Sequence, residues 1–132
     1  MAGYSGTPLA KKLGVKAGTR FAVLDAPRGF AVPDLPADVA PSSRLPKTVD
    51  VALWFTTSSA AIDAKLPALE SAIRPDGAAW IAWPKKASGV PTDVTEDVVR
   101  ARALPRGLVD VKVCAIDDVW SGLKLVVRKE LR

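Results

Sequence analysis

Two uninterrupted apolar runs, Val51-Ala52-Leu53-Trp54-Phe55 and Ala78-Ala79-Trp80-Ile81-Ala82-Trp83, constrain this chain more than any other feature. A strand with one wet face alternates polar and apolar residues. A run that does not alternate is apolar on both faces and suits the interior of a parallel sheet. Between the runs, Ile62, Leu66, Leu69 and Ile73 recur at helical spacing and form one stripe. Strand (49–55), helix (59–73), strand (78–83) is a βαβ unit, which crosses over right-handed. Pro67 lies inside the stripe and is expected to kink the helix or restart it.

The flanking segments extend this pattern. Thr7, Pro8 and Gly14 bracket a short helix over 8–13, and a first strand follows over 20–25. Residues 26–48 hold Pro27, Pro33, Pro36, Pro41 and Pro46, so that stretch is expected to be mostly irregular. After a proline-bounded loop, 84–91, Thr92 or Asp93 caps a helix. Asp93, Glu96 and Asp97 lie in its first turn, and Arg100 and Arg102 in its last. The tail alternates: Val109, Val111, Val113 and Ala115, then Leu123, Leu125 and Val127, joined through 117–122 as a hairpin. The expectation is one α/β domain over 1–132. Its core is a three-layer Rossmann-like sheet, mostly parallel, ending in an antiparallel hairpin.

A strand reading VDVALWF followed by a helix, and the turn and strand RPDGAAWIAWPK at 74–85, are similar to the second half of class I methyltransferases. The blocks GYSGTPLAKKLG (3–14), PKKASGVPTDVTEDVVR (84–100) and GLVDVKVCAIDDVWSGLK (107–124) resemble a bacterial family catalogued as domain of unknown function 3052. That resemblance spans nearly the whole chain and matches least over 26–48. It implies a small Rossmann-like cytoplasmic protein and carries over no catalytic residue.

Charge and residue types exclude much chemistry. The net charge of +5 is not spread evenly: residues 1–20 carry +4, residues 124–132 carry +3, and the body between carries −2. Two basic ends can meet in space, so a nucleic-acid accessory role is one alternative, though a solvated surface accounts for them better. The absence of histidine removes the commonest general base and the histidine-based nucleophile pairs and metal sites. Single Cys114 removes zinc ribbons and CxxC redox pairs, and it fits a reducing cytoplasm, as does an N-terminus with no apolar signal core. No apolar run approaches the roughly 18 residues of a membrane span. Neither G-x-G nor a Walker loop occurs, so no cofactor or metal is expected. A minimal S-adenosylmethionine-dependent transferase is the other alternative, but Pro27 and Arg28 stand where its glycine-rich turn would be.

What remains is geometry. Ligands of open α/β sheets sit outside the carboxyl ends of the parallel strands, where loops 25–30, 56–59 and 84–92 are expected to meet. Lys85, Lys86, Ser88, Thr57 and Arg28 are the candidates for holding a small anionic ligand there. The competing reading makes Ser58 and Thr92 helix caps and leaves the lysines solvated. Asp117 and Asp118 read as turn residues. Trp54, Trp80 and Trp83 read as core, whereas Trp120, placed in the turn, either folds back on the sheet or marks a contact with a protein partner. The function expected is binding of a small anionic ligand or a protein partner rather than catalysis.

Overall fold

The computed structural model describes residues 7–132; residues 3–6 of the first family-like block lie outside them. In chain order the elements are α1 (Leu9–Leu13), β1 (Phe21–Leu24), β2 (Val51–Phe55), α2 (Ser59–Ile73), β3 (Ala78–Pro84), α3 (Glu96–Ala103), β4 (Leu108–Ala115) and β5 (Trp120–Val127). The five strands form one sheet in the order β1-β2-β3-β5-β4.

The sheet corrects the expected fold class. β1–β2 and β2–β3 are parallel, but β3–β5 and β5–β4 are antiparallel, so the sheet is mixed rather than mostly parallel. The cause is the crossover through α3, which carries the chain past the position next to β3 and lays β4 one place further out. A short reversal over 116–119 then allows only an antiparallel return, and β5 fills the vacant place. β4 therefore points the same way as β3 without touching it. The two apolar runs do lie side by side at the centre, all twelve residues of β2 and β3 being buried.

The layers are also unequal. On one face α2 and α3 cover Trp54, Ile81, Trp83, Leu123 and Leu125. The other face, built on Leu53, Phe55, Trp80 and Ala82, is covered by five-residue α1 and by residues of the irregular stretch such as Val32 and Val39. That stretch guards the β1 edge: the Val23 amide donates to the Ser42 carbonyl at 2.8 Å, and the Ser42 amide donates to Phe21 at 2.9 Å.

Local departures have local reasons. α2 runs unbroken through Pro67, whose side of the helix is exposed. Thr95, not Thr92 or Asp93, caps α3 by accepting from the Val98 amide at 3.2 Å. β4 carries an irregularity between Asp110 and Lys112 that breaks its alternation. Val111 and Val113 are 52% and 48% exposed, not packed. Trp120 is not a turn residue; it opens β5, opposite Pro84.

Candidate functional site

A cleft of about 480 Å³ opens where three separated segments converge. Leu9 and Lys12 come from α1, Phe30 and Asp34 from the loop after β1, and Ile116 and Asp117 from the end of β4. Because β4 points the same way as β1–β3, this is the carboxyl edge of the sheet, the edge at which ligands of such sheets collect. The aromatic wall is held from behind. Phe30 meets Phe55 edge-on at 4.8 Å between centroids, and Trp120 also meets Phe55 edge-on, at 5.1 Å and 86°. Trp120 thus folds back on the sheet, half-buried, and fixes the position of the cleft's wall.

The floor of the hairpin is equally constrained. Asp117 accepts from the backbone amides of Val119 and Trp120, both at 2.8 Å, so one of its oxygens shapes the turn. The Ile116 amide donates to the Trp120 carbonyl at 2.8 Å. Asp34 holds a left-handed backbone, φ 61°, that non-glycine residues seldom adopt. Cys114, half-buried two residues before Ile116, has its thiol pushed up by burial and is a poor nucleophile.

The five anion candidates stand on the same edge but do not line this cleft. Ser88 is spent on its own turn: its hydroxyl donates to the Lys85 carbonyl at 2.6 Å and accepts from the Val90 amide at 3.2 Å. Thr57 is exposed, and its carbonyl accepts from the Thr92 hydroxyl at 2.7 Å, which ties the loops after β2 and β3 together. Lys85 is half-buried and its amide donates to the Val119 carbonyl at 2.7 Å, joining the β3 loop to the hairpin. Lys86 and Arg28 are exposed, and neither they nor Lys85 forms an ion pair among the described residues.

The start of α2, next to the 56–59 loop, is filled from within the chain. Asp93 accepts from the Ser59 hydroxyl at 2.5 Å and from the Ser59 amide at 2.8 Å. The Ser59 hydroxyl and amide hold the Asp93 carboxyl below the usual carboxylate range. Ser58 accepts from the Ala61 amide at 3.4 Å as the helix cap. Sequence reading missed Asp93 in this role because it counted Asp93 with the nearer helix α3. It missed Phe30 and Ile116 because an isolated apolar residue in a loop carries no periodic signal.

Among the described residues no three histidine, cysteine, aspartate or glutamate side chains converge as a metal ion would need, and no helix is long and apolar enough to cross a membrane. No family model matches the chain, and no curated protein matches it either.

Proposed function

We propose that this domain binds a small organic ligand in the carboxyl-edge cleft and acts as a binding or accessory domain rather than a catalyst. The observation that carries the reading is the cleft itself. Its volume, about 480 Å³, falls inside the roughly 300–1,000 Å³ usual for small-molecule sites. Its walls have the matching chemistry: apolar Leu9, Phe30 and Ile116, with Lys12, Asp34 and Asp117 as the charged groups. Among the described residues, one cation and two carboxylates around an apolar wall favour a ligand that combines a ring or apolar body with charged groups of both signs. Such a body covers Phe30 and Ile116, while its charged ends orient it.

Catalysis is disfavoured by the groups at hand. The Asp117 oxygen that accepts from the turn amides is not available as a base, and Cys114, which does not line the cleft, is held as a thiol by burial.

Calorimetric titration with nucleosides, nucleotides and S-adenosylmethionine tests the reading. Saturable heat is expected from at least one ring-bearing charged compound, weakened about tenfold by Phe30→Ala, which removes the ring. No heat from any of them at millimolar concentration, or binding indifferent to both Phe30→Ala and Ile116→Ala, overturns it.

A further inference from the structure

One lysine from each basic end, Lys16 and Lys124, lines a common cleft at the sheet's amino edge, and Lys112 of β4 stands next to Lys124. Lys124 on β5 stands directly opposite Lys112 on β4 and directly beside Trp80 on β3. Like charges opposed on neighbouring strands repel. No carboxylate pairs with Lys124, Lys112 or Lys16 among the described residues. The Trp80 ring offsets part of the repulsion, with the Lys112 ammonium 6.0 Å from its centroid. A guard against edge-to-edge aggregation explains Lys112, which is exposed on the edge strand. It does not explain Lys124. That residue lies on an interior strand, half-buried, and burial together with Lys112 pulls its ammonium below the usual lysine range.

Lys124 also lines a second cleft, of about 450 Å³. Its floor is the row Val51, Ala78 and Val126, register partners across β2, β3 and β5. Val51 and Ala78 open their strands, so this cleft lies at the amino edge, away from the first. Lys16 stands on its rim, in the turn between α1 and β1. Of the two carboxylates there, Asp50 is already matched by Arg20 at 3.0 Å, and Asp76 is exposed.

We propose that Lys124, Lys112 and Lys16 form a receptor for a phosphate group, and that the second cleft seats the organic part of a small phosphomonoester. A dianion placed at the opposed lysines turns their mutual repulsion into two attractions. The apolar floor then contributes contact that inorganic phosphate cannot use, so a nucleoside monophosphate binds more tightly than phosphate alone.

Methyl-resolved NMR titration of the whole chain tests this site separately from the first cleft. With a nucleoside 5′-monophosphate, the methyls of Val51, Ala78 and Val126 shift saturably, and inorganic phosphate produces weaker shifts at the same places. Lys124→Met weakens binding at least about tenfold, since it removes a charge-assisted bond. Lys112→Met at an exposed position, and Lys16→Ala, weaken it in the same direction and guard against a Lys124 variant that fails to fold. Three results overturn the proposal: no saturable shift at these methyls up to about 10 mM probe; equal affinity in wild type and all three variants; or affinity that grows with the length of a single-stranded oligonucleotide, which marks the lysines as a nucleic-acid surface.

Discussion

Gly77 sits where the chain leaves α2 for β3. A Cβ at that position would lie 2.7 Å from the Val49 carbonyl oxygen and 2.8 Å from that of Ile73, so only glycine passes. Gly77→Ala is expected to cost about 1–3 kcal/mol in denaturant unfolding, and an unchanged midpoint contradicts that packing. Trp80 is completely buried, and its indole N–H donates to the Leu13 carbonyl at 3.1 Å. Its place in the core was legible from the apolar run that contains it. Its bond to Leu13 was not, because a partner 67 residues away is decided by the fold alone. Three carboxyls, Asp50 beside Arg20, Asp93 on Ser59 and Asp110 beside Arg100, are held below their ordinary range. Between each lowered value and the unfolded value of about 3.9, the unfolded chain binds more protons, so stability rises with pH in that window. The unfolding midpoint is therefore expected to stay level from pH 7 to about 5 and to fall below about pH 4. A triple Asp→Asn variant that falls as steeply contradicts the assignment.

At the scale of elements, α2 persists through Pro67 because Ile62, Leu66, Leu69 and Ile73 dock on the sheet, a stripe that periodicity disclosed in advance. Docking outweighs a residue that lacks a helical donor and crowds the turn before it. Pro67→Ala, at an exposed position, is expected to raise stability by about 1–3 kcal/mol, and a fall in the melting temperature contradicts this account of α2. α3 is fastened differently. Arg100 donates to Glu96 at 2.5 Å, Asp97 at 2.9 Å and, across to β4, Asp110 at 2.9 Å. The charge pattern of α3 was legible, but the bond to β4 was not: the irregularity at 110–112 leaves Asp110 facing the helices and turns Lys112 to the other face. Arg100→Met is expected to lower the melting temperature and to speed hydrogen exchange at the β4 amides. Unchanged exchange there rules out Arg100 as the fastening.

For the molecule as a whole, the central parallel pair was readable because double-sided burial writes itself into composition. The mixed sheet was not, since alternation in the tail reveals a hairpin but not which neighbour receives it. Helices cover one face, and α1 with the proline-rich stretch covers the other. This asymmetry leaves room for both clefts, one at each edge of the sheet. None of the candidate residues after β3 lines the carboxyl-edge cleft, which is walled by Phe30 and Ile116, brought together only by tertiary packing. The central claim is that the carboxyl-edge cleft receives a ligand. Its most direct measurement is an NMR screen of small charged ring compounds that follows the methyls of Leu9 and Ile116. The account predicts that hits shift these two and lose the shift in Phe30→Ala. Hits that leave both methyls unmoved while shifting others contradict it.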